Sequence, residues 1–455
     1  MKSVLISTYE LGRQPFGLAS PAAWLRRAGS AVTCLDLSCQ ALDEEAVRSA
    51  DLIAIYIPMH TATRLAAQIL PAIQKLNPRG HLCCYGLYAP MNEAFLRKLG
   101  VQTILGGEFE EGLVATMEQL RNPSLPPGSQ PRPAISLARQ NFLVPDRKSL
   151  PPLNRYAKLI LSDGTFRIAG YTEASRGCKH RCRHCPIVPV YDGVFRVVQP
   201  EVVLEDIRRQ VAMGAGHVTF GDPDFFNGIR HAVRIVTALH TEHPTLTYDV
   251  TIKVEHLLKH AEFLPTLRDT GCAFVTSAVE SLDDEILCRL DKGHTYRDFV
   301  RVLELCRQAN LPLSPTFVAF TPWTTLQSYC RSIATLQQLG LSDHVAPIQH
   351  GIRLLIPAGS RLMELAEISQ TVGPFDERAL AYPWSNPDPR VDELCARVQG
   401  VVHESEKVKA SRRQIFHRVS AMACEAAGIE PIGAFEPDDR LDRAAMPYLT
   451  EPWYC

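Results

Sequence analysis

The chain of 455 residues has no apolar run approaching the length of a membrane-spanning helix. Its opening offers one lysine and then only Val4-Leu5-Ile6, too short for the apolar core of a secretory signal. Both absences point to the cytoplasm, with no membrane partner. Charge of one sign is also missing: 48 Lys and Arg stand against 49 Asp and Glu, a net of -1, so nothing in the balance asks for nucleic acid. The 14 cysteines lack the spacing of a disulfide framework and read as reduced thiols. What remains, 46% hydrophobic and 21% charged residues, is the composition of a soluble globular protein long enough for two or three domains.

The stretch that organises the rest is Tyr171-Thr-Glu-Ala-Ser-Arg-Gly-Cys178-Lys-His-Arg-Cys182-Arg-His-Cys185-Pro186. Cys178, Cys182 and Cys185, spaced C-x3-C-x2-C, can turn three thiolates toward one compact cluster. A fourth cysteine is absent. Because a [4Fe-4S] cube ordinarily takes four thiolates, three leave one iron open to a small molecule. A structural zinc held by the three cysteines and His180 or His184 is the competing reading, although no second CxxC exists to complete the usual pair of knuckles. The basic residues Arg176, Lys179, Arg181 and Arg183 read as a solvated loop.

This loop resembles the signature of the radical S-adenosylmethionine (SAM) superfamily. The resemblance implies that the amino and carboxylate groups of SAM chelate the open iron, and that an electron from the cluster splits a carbon-sulfur bond. His184 departs from the aromatic residue that many members carry before the third cysteine.

Ahead of the loop, short apolar strands at 2–8, 32–36, 51–57, 82–86 and 101–105 alternate with helical stretches, one opened by Ser20-Pro21 and another by Thr61. Such alternation predicts an α/β fold, a doubly wound parallel sheet over residues 1–120. The element order and the Gly106-Gly107-Glu108 turn resemble the cobalamin-binding domain upstream of many radical SAM domains, which makes cobalamin a candidate cofactor. The segment from Thr8 to Pro15 nevertheless holds no histidine to ligate cobalt from below, and His60 reads as a helix-entry residue. Residues 121–155 form a proline-rich linker.

From 156 to 365 six strand and helix units are expected, with strands near 167–172, 216–220, 246–252, 273–279, 313–320 and 349–356. They match a partial (β/α)6 radical SAM barrel with its site at the carboxyl ends of the strands. The resemblance implies that Gly221, Asp222 and Asp224 receive the SAM amino group, that Glu280 and Ser281 meet its amine or ribose, and that Pro357 packs near adenine. Read plainly, 221–224 is an Asp-Pro turn, Lys292 and Gly293 are structural, and Arg353 is a candidate for a substrate carboxylate. Residues 366–455 are expected as a helical C-terminal extension, with helices over 392–410 and 411–427.

The last residues, Met446-Pro-Tyr-Leu-Thr450-Glu-Pro-Trp453-Tyr-Cys455, together with the opening 5–21, resemble the CUAEP/CCAEP-tail radical SAM (seleno)protein family. There the tail runs Cys, then selenocysteine or Cys, then Ala-Glu-Pro, so the resemblance implies a native chain that continues past Cys455 with selenocysteine or cysteine. Cysteine-tailed relatives include enzymes that join a SAM-derived carbon fragment to trivalent arsenic, and thiolates prefer soft ions. The expected function is therefore a transferase that cleaves SAM and passes such a fragment to a small-molecule or metalloid acceptor. Cys455 would be its catalytic residue, and a flavodoxin or ferredoxin its electron donor. A cobalamin-dependent methylase or cyclase acting on carbon and a non-catalytic metalloid-binding protein are the rivals.

Overall fold

A computed structural model describes residues 1–123, 134–430 and 446–450. Strands β1 (Lys2–Ser7), β2 (Ala31–Asp36), β3 (Leu52–Tyr56), β4 (His81–Tyr85), β5 (Thr103–Gly107) and β6 (Ile135–Ser136) make one sheet in the order β2-β1-β3-β4-β5-β6. Every pairing in it is parallel. Short runs such as Leu-Ile-Ala-Ile-Tyr, apolar throughout, suit strands covered on both faces, and a separate apolar core lies on each side of the sheet. The order reverses between β1 and β3, which leaves a crevice at their carboxyl ends, facing the second unit.

The first helix runs Phe16–Arg27 and so begins before the expected Ser20-Pro21 start. Ser20 caps nothing: its hydroxyl donates to Glu110 Oε1 at 2.6 Å, a contact ninety residues away that mimics a cap signal in the sequence. The linker is also less free than its prolines suggest. Arg147 within it bonds Gln14 Oε1 at 2.8 Å, Tyr171 O at 2.7 Å and the Asp206 carboxylate at 2.8 and 2.9 Å, which sews both units together.

The second sheet contains β7 (Lys158–Ile160), β8 (Phe166–Thr172), β11 (His217–Phe220), β12 (Thr247–Thr251), β13 (Cys272–Glu280), β14 (Leu313–Phe317) and β15 (Tyr448–Leu449), in the order β14-β13-β12-β11-β8-β7-β15. Strands β8 and β11 to β14 are parallel, whereas β7 and β15 add antiparallel edges. The hairpin of β9 (Ser175–Gly177) and β10 (Phe195–Val197) brackets the cysteine loop. The expected sixth strand survives as a single bridge, Phe320 to Arg353. Pro347 opens a short 3-10 turn over Pro347–His350, and the Gln349 side chain, not its backbone, accepts the Phe317 N–H at 2.9 Å. The sheet is thus a curled half-barrel.

Helices Pro389–Lys407 and Arg412–Ala427 follow, the second capped by Ser411 and ended by Gly428 at φ +66°. The second packs on the helix Leu326–Gln338, and the first packs on the second and on the Pro347–His350 turn. Among the described residues no helix is long and apolar enough to cross a membrane.

Candidate active site

Gly177 and Gly221 shape the loop from below. Gly177 sits at φ +74°, and a Cβ there would stand 2.4 Å from the Tyr191 ring and 2.5 Å from the Val194 carbonyl oxygen. At Gly221 a Cβ would overlap the Tyr171 hydroxyl. Beyond this constriction, Cys182 is buried and Cys178 and Cys185 are half-buried, all as free thiols. Burial pushes the Cys178 thiol up to about 11 and Cys185 to about 12. The loop is tied down by Arg183, whose N–H donates to Leu290 O at 2.9 Å, and by Arg361, which donates to Arg181 O at 3.2 Å.

Neither nearby histidine turns toward the sulfurs as a fourth ligand. His184 Nε2 is 3.1 Å from Glu280 Oε1, and His180 Nε2 is 3.5 Å from Asp224 Oδ2. Among the described residues, no three of the cysteine and histidine donors of this loop gather within the 4.8 Å that would suit one ion. The donor set fits a larger body with several metal corners, such as a [4Fe-4S] cluster, better than it fits zinc.

Glu280, at the end of β13, adopts φ +70° and faces the buried Lys292, whose Nζ is 3.4 Å from its Oε1. Burial alone would raise this carboxyl, but Lys292 and His184 bring it down to about 2. Lys292, expected to be structural, stands close enough to Cys182 and Cys185 that their charge helps hold its proton, along with the larger effect of Glu280 and against burial.

The remaining expected residues fall in three places. Asp222 is a scaffold within the site: it accepts the Ala174 N–H at 2.8 Å and the Ser175 hydroxyl at 2.5 Å, and burial pushes it up to about 7. Asp224 Oδ1 accepts the Phe226 N–H at 3.1 Å, while its other oxygen faces His180 and His256; burial is outweighed by these imidazoles, which bring its carboxyl down to about 2. Ser281 is spent on its own turn, accepting the Asp283 N–H at 3.0 Å. Pro357 is buried in the turn that reaches the cysteine loop through Ser360 and Arg361. Arg353 is engaged by Asp392 at 2.5 Å and lies over Trp384, so its guanidinium has an internal partner. Cys455 lies outside the described residues.

Two spaces lie within this half of the molecule, of which only the second is lined by residues of the cysteine loop. The barrel lumen encloses about 420 Å³ against Asp249, Thr251, Thr276 and Thr316, and its open side is closed by Arg13, Arg412 and the β15 segment. The crevice between the sheets is much smaller, about 130 Å³ beside Tyr56, Phe109, Arg176 and Tyr191. Arg176, from β9, fills it and is bound there by Glu110 at 2.7 Å, Glu108 at 3.2 Å and Glu173 at 2.7 Å. In the sequence Glu110 reads only as a helix entry and Glu108 as part of the Gly-Gly-Glu turn, neither as a partner of Arg176. A corrin needs more room than the roughly 300 Å³ at which pockets for drug-sized ligands begin. His60 is no lower ligand either, since its Nε2 bonds Ala379 O at 2.6 Å. The crevice as described is narrower than a corrin and offers no lower histidine ligand, while the fold is that of cobalamin-bound neighbours, and no step below passes through a cobalamin.

Comparison with known proteins agrees with this architecture. Residues 172–324 match the model of the radical SAM superfamily. Hopanoid C-3 methylase of Methylococcus capsulatus is 23% identical over 184 residues, 39% of this chain and 35% of that protein. Bacteriochlorophyllide d C-8(2)-methyltransferase of Chlorobaculum tepidum is 26% identical over 193 residues, 39% of this chain and 42% of that protein. The match thus spans less than half the length of either curated relative. Among solved structures, the cobalamin-dependent SAM radical enzyme OxsB superposes with a TM-score of 0.70 at 14% identity, over 90% of this chain and 67% of its own. The radical SAM methyltransferase TsrM from Kitasatospora setae, with cobalamin and a [4Fe-4S] cluster bound, gives 0.68 at 14% identity, over 94% of this chain and 99% of its own. At these identities the likeness is one of fold. With the cysteine loop, the half-barrel and the family match all falling on the same residues, residues 172–324 form a radical SAM domain, for which a [4Fe-4S] cluster and SAM are the cofactors.

Proposed function

We propose that the chain cleaves SAM at a cluster held by Cys178, Cys182 and Cys185. It passes a SAM-derived carbon fragment, 3-amino-3-carboxypropyl or methyl, to a soft thiophilic acceptor such as trivalent arsenic presented by Cys455. The observation that carries this reading is the loop itself: three thiols, no fourth, and both neighbouring histidines turned to carboxylates. When bound, the cluster supplies the electron that opens a carbon-sulfur bond of SAM.

The chain's own groups bind, orient and exclude water. Lys292 sets a buried positive charge on the thiolate side, offsetting charge that three sulfurs concentrate there. Glu280, ionised, is an acceptor for an ammonium or a ribose hydroxyl. Gly221 leaves backbone open to close approach. The lumen offers a walled space for the acceptor, and β15 brings the end of the described chain to that wall. A reducing partner of the flavodoxin or ferredoxin kind belongs to this reading.

Anaerobic reconstitution, dithionite and mass spectrometry of SAM products with and without arsenite test it. The products 5'-deoxyadenosine, methylthioadenosine and homocysteine mark three different broken bonds; a chain that leaves SAM intact rules the reading out. Intact-mass analysis of protein from the native host tests whether selenocysteine follows Cys455. The fold shared with TsrM and OxsB favours a second reading, a cobalamin-dependent methylase or cyclase acting on carbon. The visible absorption of cobalamin retained on purification would decide for it.

A further inference from the structure

We propose that His180, Asp224 and His256 form a mononuclear site for a divalent transition-metal ion, distinct from the three-cysteine set. Three segments deliver one donor each: the cysteine loop, the turn after β11, and the helix Val254–Lys259 after β12. Their donor atoms lie within 4.8 Å of one another. Asp224 Oδ2 is 2.6 Å from His256 Nδ1 and 3.5 Å from His180 Nε2. Those separations bracket the edge of about 3.0 to 3.4 Å expected between ligands that each sit about 2.1 Å from a shared ion.

A second observation points the same way. His180 Nε2, Asp224 Oδ2 and His256 Nδ1 are each shielded from solvent, and none makes a directed hydrogen bond among the described residues. Asp224 is 1% exposed and His256 4%. Leaving a buried polar atom unpaired costs about 1–3 kcal/mol, so three at one point call for an occupant. A His-Asp-His hydrogen-bonded chain would aim an N–H along the carboxylate. Here the imidazoles approach the carboxylate closely enough to lower it, but at angles outside hydrogen-bond geometry.

The surroundings suit the ion. Asp224 is held in place by its other oxygen, which accepts the Phe226 N–H. On the far side of His180, Nδ1 faces Glu255 Oε2 at 3.6 Å and Lys253 Nζ at 3.1 Å. A metal on Nε2 puts the ring proton on Nδ1, on the side where the Glu255 carboxylate stands, as carboxylates commonly do behind ligating imidazoles. The Lys253 contact, in which Nδ1 accepts, belongs to the ion-free form. Two imidazoles and one carboxylate with open positions select ferrous iron or zinc. The ion would fasten the cysteine loop to the ends of β11 and β12.

The test uses the full chain, reconstituted anaerobically with iron, and stands apart from any assay of SAM cleavage. Metal analysis and Mössbauer spectra should show about one high-spin ferrous ion beyond the four irons of the cluster. His256→Ala and Asp224→Asn should each lose that ion while the cluster absorbance persists. A wild-type chain holding only cluster iron overturns the proposal, as does either variant that keeps the extra ion. Should both variants also lose the cluster, cobalt(II) titration of the Cys178→Ala chain decides: visible d-d bands support the site, and their absence overturns it.

Discussion

The Lys292 ammonium lies 3.4 Å from Glu280 Oε1, with the two side chains 4% and 11% exposed, directly behind the cysteine loop. A buried pair of this kind is weak evidence for stability, but breaking it leaves an uncompensated charge. Glu280→Gln should therefore destabilise the fold by about 3–5 kcal/mol. The double variant Glu280→Gln/Lys292→Met should recover much of the loss, read as thermal midpoints. Equal midpoints for the wild type and the single variant would show that the pair is not formed.

The carboxyl of Asp222 predicts the opposite pH response to that of Glu280. Unfolded aspartate titrates near 4, whereas burial holds Asp222 at about 7. Between these values the folded chain binds the extra proton, so stability falls as pH rises through the window, by about 4 kcal/mol in all. Glu280, held at about 2, contributes stability above its unfolded value near 4.3 that is lost as pH falls toward 2. Comparing unfolding of wild type and Asp222→Asn at pH 5 and pH 8 isolates the first effect. The variant should show the smaller decline.

Gly177→Ala should damage the loop without touching a thiol. Its Cβ would meet the Tyr191 ring and the Val194 carbonyl, and φ +74° is costly for alanine. Overpacking of this kind costs about 1–3 kcal/mol, and iron retained per chain after reconstitution should drop. Full retention would mean that the loop can shift to accommodate the methyl group.

Cys178→Ser, Cys182→Ser and Cys185→Ser should each abolish the cluster's visible absorption and SAM cleavage together. Cys330→Ser should leave both intact. Cys330 is buried 3.6 Å from Cys424 Sγ between two helices, away from the loop. A cluster that survives any one of the three loop substitutions would move the ligand set elsewhere.

Arg176→Met should loosen the contact between the two units. It strands Glu108 and Glu110 in the crevice, at a cost of about 3–5 kcal/mol. Limited proteolysis in the 134–156 connector should accelerate; an unchanged cleavage rate would show that Arg147 carries the junction alone.

What the sequence disclosed and what it hid divide along contact distance. Cys178, Cys182 and Cys185 are local, so spacing alone announced them, and the apolar runs of β1 to β5 likewise gave a doubly wound sheet followed by a partial barrel. Ser20 misled because its hydroxyl bonds Glu110 across the fold. Glu108, Glu110 and Arg176 met only once the crevice existed, and no local pattern links residues 66 positions apart. The sixth strand faded for the same reason, because a Gln349 side chain took over a backbone's bond.

Thr450 and Lys158 exchange two hydrogen bonds, at 2.9 and 3.0 Å, that seat β15 against β7. Deleting everything from Met446 would strip the cover from β7 and leave a row of unpaired amides open to self-association. Shortened versions of the protein should accordingly form soluble aggregates on a sizing column, and a purification tag is better placed at the amino end.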